Sequence, residues 1–557
     1  MNGILILLVV IAAVAVSGLA RRKNLQPALV LVTIGGLASF IPGMPRLELD
    51  PDIILGVVLP PLLYSAASRF SVATFRRHLV PILRLGVLMV LVVAFAVAGL
   101  VQWMIPEFTF ATALVLGAVV APTDAVSAVS VGQKLGLPRR VTSILTGEGL
   151  VNDATALTLF SVAVSAAAGT TLTIRSPILF FLYEVIGGVG IGLLLAVVVR
   201  WMRARLEDAV LETVLGFTLP FAAYLAAEQI HASGVLAVVA AGFLLGHKAT
   251  DVSVATRLQE RAVWASTEKI LEMFVFAYMG LQLSFVLDDV VGPQRTVIHA
   301  FAYACVVLAL VIAVRPLWVM LNWARHRAGV IVVRAKQPDR PLNWQESTVV
   351  SWAGMRGVVT LAAAGGVPFV TADGNPLAGR DIIQVVAFVV AVGTLLLQGA
   401  TMPYLIRRLK MSDPDDEARL ETEFASARRI AQEAGDDALS GYLEKRLRDR
   451  EARGIAGDDE SAKLRALVER VHRSMQARYR AQEAEDGEVA DGSSFEDRRD
   501  AVREVDGIRR ATLGAQRKAL IAARDAGDLD DEVLRSVLEG LDIEEAAAEE
   551  RLRRGPL

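Results

Sequence analysis

Cysteine is nearly absent: the single thiol, Cys305, lies in an apolar run, so neither an intrachain disulfide nor a cysteine-built metal site can form. Packing is its expected role. A basic leader region is missing too. Met1 to Ala20 is apolar, but its basic cluster, Arg21-Arg22-Lys23, follows the run, which argues for a retained first span over a cleaved signal peptide. No nucleophile accompanies a histidine, and the carboxylates lack the surroundings of a membrane aspartyl protease, so the chain does not read as an enzyme. Beyond residue 410 there is no nucleotide-binding, metal or catalytic motif, and no cofactor or nucleic-acid partner is expected.

What is present is apolar sequence. Of 557 residues 54% are hydrophobic, and a mean hydropathy of +0.47 indicates an all-α polytopic membrane protein. Residues 1–410 hold 31 Lys/Arg against 22 Asp/Glu, whereas residues 411–557 hold 26 against 37. An apolar, basic-edged part, 1–410, therefore precedes an acidic tail, 411–557. A span needs about 20 mostly apolar residues. Thirteen stretches qualify, roughly 2–20, 26–42, 52–68, 79–103, 108–131, 141–168, 177–199, 209–226, 232–247, 263–287, 296–321, 345–367 and 382–405.

The loops give an independent test, because cytoplasmic loops are enriched in Lys and Arg. Alternate loops, starting after the first span and including the residues after the last, hold 23 basic residues, while the loops between them hold only Arg46, Arg175, Arg295 and Arg380. This asymmetry predicts an extracytoplasmic N-terminus, a cytoplasmic tail and an odd number of spans. Compact loops and no import signal favour a bacterial inner membrane, with lipid as the surrounding partner.

Charged groups at membrane depth are costly, about 2.5–3.5 kcal/mol at a helix centre on insertion scales, so they usually face a cavity, a partner or an ion. In the fifth span, Ala121-Pro122-Thr123-Asp124, proline removes a backbone donor next to a hydroxyl and a carboxylate. Unwinding there would assemble oxygens suited to a small hard cation, although a simple proline kink fits the same residues. In the sixth span Glu148 and Asn152 share a helix face, while Asp153 is turned by about 140° from Glu148. In the twelfth, Gly354 and Gly357 flank Met355-Arg356, a second expected break, and Arg356 requires an anionic partner or helix-end carbonyls; Glu148 is the candidate partner. If spans 1–6 and 8–13 are two repeats, the breaks fall at matching positions of an inverted pair, the arrangement that marks a transporter's ion site. Glu184, Glu212, Glu272 and Arg315 read as helix-pair or interfacial groups, and His231 and His247 as solvated span ends.

In the tail, apolar positions such as Leu443, Leu447, Leu464, Leu467 and Val471 recur among charges. Helical hairpins or a short bundle fit, broken near Gly487 to Ser494; a regulatory or dimer-supporting cytosolic domain and a plain solvated extension are both compatible with this pattern.

The set LPPLLYSAAS from Leu59, VVAPTDAV from Val119, GEGLVNDA from Gly147 and WAGMRGVV from Trp352 resembles the monovalent cation:proton antiporter-1 family, the NhaP/NHE-type sodium/proton exchangers, over residues 1–410. The resemblance implies a homodimer of thirteen-helix protomers with two crossed, discontinuous helices. It implies that Asp153 binds cation and proton in turn, that Asn152, Thr123 and Asp124 supply or support the site, and that Glu148 and Arg356 form a buried ion pair. Two positions depart from the pattern. Ser65 stands where a carboxylate is common, and Gly149 replaces a serine that can offer a ligand oxygen. Both leave the cation open among Na+, K+ and Li+. One principal acid beside a neutral asparagine implies one-for-one, electroneutral exchange serving pH and cation homeostasis. A non-transporting sensor or a cation channel on the same scaffold are the rival readings.

Overall fold

A computed structural model describes residues 2–42, 51–169, 177–288, 297–328, 342–411, 414–452, 462, 465–466, 468–469 and 495–554, except 24, 207, 250–251, 373, 375–376, 378 and 527. Among these the chain is helical, and it divides into two compact units, Met1–Ser412 and Asp413–Leu557.

In the first unit every apolar stretch anticipated from sequence holds a helix, and the fifth and twelfth each hold two in succession. Among the described residues, seven helices are long and apolar enough to cross a membrane, including Leu79–Met104, Arg139–Ala168, Ile298–Arg327 and Arg380–Leu409, and four further apolar helices are shorter. Local chemistry explains many of the ends. Thr109, Ser233 and Ser253 each accept a backbone N–H with their side-chain oxygen, and Asn343 with Glu346 forms a reciprocal capping box ahead of Trp344–Trp352. Pro60 and Pro61 have no N–H to offer Gly56 and Val57. The helix answers with a π-turn over Ile54–Val58, so the Leu59 N–H reaches Ile54 one residue further back.

Helix Arg139–Ala168 occupies the centre. It gives Val141, Ile144 and Leu145 to one apolar cluster, Ala156 and Ala163 to a second and Leu150 and Ala154 to a third. Apolar side chains on several faces of this helix are therefore buried, and Glu148 and Asn152 are buried with them. The neighbouring helix Pro177–Arg203 instead leaves Ile178, Leu182, Ile186 and Leu194 exposed, the surface expected toward lipid tails.

The second unit packs Pro414–Ala452, Phe495–Ala526 and Asp531–Arg554 around Leu513, Leu520, Val533 and Leu534. Leu443 and Leu447 pack near Leu439 and Ile508. Leu464, Leu467, Val471 and the 487–494 break lie outside the described residues.

Candidate functional site

Both anticipated breaks are present, and they touch. Phe110–Val120 stops before Pro122 and the helix resumes as Ala125–Lys134; Trp344–Trp352 stops before Gly354 and resumes as Val358–Gly365. Backbone groups freed inside a membrane protein must find partners within it. The Asp124 N–H donates to the Met355 carbonyl at 2.6 Å, binding one break to the other. The Thr123 carbonyl accepts from Asn152 Nδ2 at 2.7 Å. The Arg356 N–H reaches Thr394 Oγ1 at 2.9 Å on the last helix of the unit. Gly357 admits this crossing, since a Cβ there would lie 2.9 Å from the Asp124 Cβ.

The two interrupted C-termini are each capped by an arginine. Arg356 Nε donates to the Val120 carbonyl at 3.0 Å and its Nη1 to Gly354. Arg315 Nε donates to the Val350 carbonyl at 2.9 Å. Both side chains are 1% exposed, and a cation is favoured at a helix C-terminus by the aligned peptide dipoles.

This division of labour corrects the pairing expected from sequence. Glu148, 2% exposed, is held on both carboxylate oxygens by Arg315, Nη2 to Oε2 at 2.7 Å and Nη1 to Oε1, and not by Arg356. Of the two ways to satisfy an intramembrane arginine, Arg356 uses helix-end carbonyls and Arg315 uses the carboxylate plus one carbonyl. Arg315, expected to make a helix-pair contact, is the residue that sequence reasoning undervalued. Its signal was available: it sits before Pro316 in a helix apolar on both sides, too deep to reach water.

The remaining expected residues gather around the first break. Thr123 Oγ1 donates to Glu148 Oε1 at 2.8 Å and accepts from Asn152 Nδ2 at 2.9 Å. Asn152 is fully buried with its amide so engaged, and its Oδ1 has no hydrogen-bond partner. Asp124 sits at the start of Ala125–Lys134, where its carboxylate accepts the Ser127 hydroxyl at 2.5 Å and faces the Ser127 N–H at 3.4 Å. There it offsets the positive end of the half-helix. Asp153, one residue past Asn152, is partly exposed, has the Asp124 charge as an electrostatic neighbour and has no cationic partner among the described residues. Gly149 packs on the same break: a Cβ there would come within 2.5 Å of the Ala125 Cβ. The glycine thus makes room for the second half-helix as well as omitting a hydroxyl. Ser65 is buried, its hydroxyl has no partner, and no hydrogen bond joins it to the break.

Chemically, the arrangement offers one carboxylate without a cationic partner among the described residues, Asp153, beside two crossed helix breaks, with Glu148 neutralised by Arg315. A profile described as sodium/hydrogen exchanger, transmembrane, matches residues 5–408. The chain belongs to the sodium/hydrogen exchanger family. An uncharacterized Na+/H+ exchanger of Mycobacterium tuberculosis is 32% identical over 547 residues, covering 98% of this chain and 96% of the relative. A sodium, potassium, lithium and rubidium/H+ antiporter of Bacillus subtilis is 27% identical, covering 73% and 62%. The fold matches that of a solved sodium proton antiporter from Methanocaldococcus jannaschii with a TM-score of 0.58 at 19% identity, covering 73% of this chain and 99% of the other. The exchanger is a multi-pass membrane protein, and cation/proton exchange, a transport and not an enzymatic activity, is the function of its family.

Proposed function

We propose that this exchanger moves Na+ or K+ against H+ one for one by alternating access, with Asp153 as the carboxylate that holds cation and proton in turn. The observation that carries the reading is the state of the other acids: Glu148 is neutralised by Arg315, and Asp124 is committed to the start of a half-helix. At the crossing of the two breaks, one negative charge is then left to be balanced by whatever is transported. Moving that carboxylate between membrane faces unneutralised would carry the cost of a bare charge at membrane depth. A bound cation or a bound proton removes it, so each completed cycle exchanges one for the other and transfers no net charge. Asn152, locked by Thr123, contributes no charge of its own.

The cation is left broad in this reading. Asn152 Oδ1 and the remaining Thr123 Oγ1 lone pair are neutral ligand oxygens, and neither Ser65 nor Gly149 adds a charge, which favours a site accepting K+ and Li+ beside Na+. The broad cation set in the name of the Bacillus subtilis relative agrees with this. A homodimer in a bacterial inner membrane, with the N-terminus outside, the acidic tail in the cytoplasm and a role in pH and cation homeostasis, completes the proposal. It is supported by loop charges and the motif resemblance.

The test is dissipation of an imposed pH gradient by purified protein in liposomes, on adding Na+, K+ or Li+ separately. Cation-dependent dissipation by at least two of them supports the reading. Well-folded protein that gives none returns the sensor interpretation, and current without proton coupling the channel one.

A further inference from the structure

The exchange mechanism makes no use of the buried acid Glu184. Glu184, in the first third of helix Pro177–Arg203, is 7% exposed, and its Oε2 is buried without a hydrogen-bond partner. The groups acting on it are the Thr158 hydroxyl, which hydrogen-bonds the side chain, and the carboxylate of Glu228. No Lys, Arg or His pairs with it among the described residues. The Glu184 carbonyl accepts the Ser233 N–H at 3.2 Å, fixing its backbone against the start of Gly234–His247. Three helices thus present oxygens to one place: Thr158 from the central helix, Glu184 beside it, and exposed Glu228 at the end of Ala209–Gln229.

We propose that Glu184, Thr158 and Glu228 form a second exchangeable site, for a proton or an alkali-metal cation, in the seam between the central helix and its neighbours. A buried carboxylate with an open oxygen and no fixed counter-charge must be neutralised by something mobile. Exposed Glu228 gives the seam a negative mouth, which raises the local concentration of cations. Thr158 lies five residues beyond Asp153, about 7.5 Å along the helix and turned by about 140°. The site is therefore separate from Asp153 and displaced toward one membrane face. Ala168, Pro177, Gln229 and Gly234 all end or begin helices on that side. By the loop charges it is the extracytoplasmic one, so the inference rests on the exchanger reading and its orientation. Glu184 then loads cations arriving from outside.

Sidedness distinguishes this role from a structural one. In oriented membrane vesicles, Glu184→Gln should raise the half-saturating Na+ or K+ concentration at the extracytoplasmic face about tenfold, equivalent to about 1.4 kcal/mol of lost binding. The cytoplasmic face should keep its wild-type value, and Glu184→Asp should recover part of the loss. Equal changes at both faces, or at neither, overturn the proposal. Binding is read separately by thermal stabilisation of detergent-solubilised Asp153→Asn with added NaCl or KCl, against choline chloride. Stabilisation that persists there and disappears in Asp153→Asn/Glu184→Gln supports the second site; none in Asp153→Asn refutes it. Wild type inactive from both faces would sink the exchanger reading, while the binding experiment would still decide this one.

Discussion

Replacing Arg315 by alanine is the substitution with the largest expected cost. It strands Glu148, which is 2% exposed and accepts both of its charged hydrogen bonds from that guanidinium. Removing one partner of a buried pair costs about 3–5 kcal/mol, because the remaining charge cannot recover its water. The Val350 carbonyl also loses its donor, on the order of 1–3 kcal/mol if it stays buried and unpaired, a penalty that overlaps the first. Arg356→Ala differs. It uncaps the Val120 and Gly354 carbonyls but leaves Glu148 paired, so about 1–3 kcal/mol is expected. A double-mutant cycle with Glu148→Gln isolates each pairing: coupling to Arg315 should exceed about 2 kcal/mol and coupling to Arg356 should stay below about 1. Unfolding midpoints in mild detergent, with membrane abundance as a check, supply the numbers. Stronger coupling of Glu148 to Arg356 than to Arg315 would refute the assignment.

Other substitutions probe the crossing itself. Asn152→Asp replaces an amide that donates to the Thr123 carbonyl and hydroxyl with an acceptor facing an acceptor; a loss of about 1–3 kcal/mol is expected, and an unchanged melting temperature would show that the amide does not hold the break. Gly357→Ala places a methyl 2.9 Å from the Asp124 Cβ, and the overpacking should cost about 1–3 kcal/mol and slow exchange; full activity at wild-type stability would mean the breaks separate freely. Gly149→Ser should act mainly by pushing on Ala125: weaker exchange for every cation is expected, whereas a selective gain for Na+ would show a new ligand oxygen instead.

The breaks were legible because proline and flanking glycines are punctuation that survives without tertiary information: Pro122 and the Gly354/Gly357 pair mark the interruptions to within a residue or two. The helices of the first unit were legible because apolar runs of membrane length admit few alternatives. The choice of arginine was not. Both Arg315 and Arg356 satisfy the same chemical requirement, and only the packing of the helices decides which one meets Glu148. Nor could spacing reveal that Gly149 accommodates Ala125, or that Asp124 would be drawn into capping the half-helix that it begins. Such roles depend on contacts between segments far apart in the chain, as with Thr394, which receives the Arg356 N–H and which no motif singled out.

If a single carboxylate, Asp153, carries cation and proton in turn, removing its charge abolishes exchange. The most direct test is cation-driven dissipation of a pH gradient in liposomes, for wild type and Asp153→Asn side by side, with the membrane potential either free or clamped by potassium and valinomycin. Wild type should exchange at the same rate with and without the clamp, and Asp153→Asn not at all at equal abundance and stability. Exchange that speeds up under the clamp would contradict the one-for-one stoichiometry, and wild-type rates in Asp153→Asn would contradict the site.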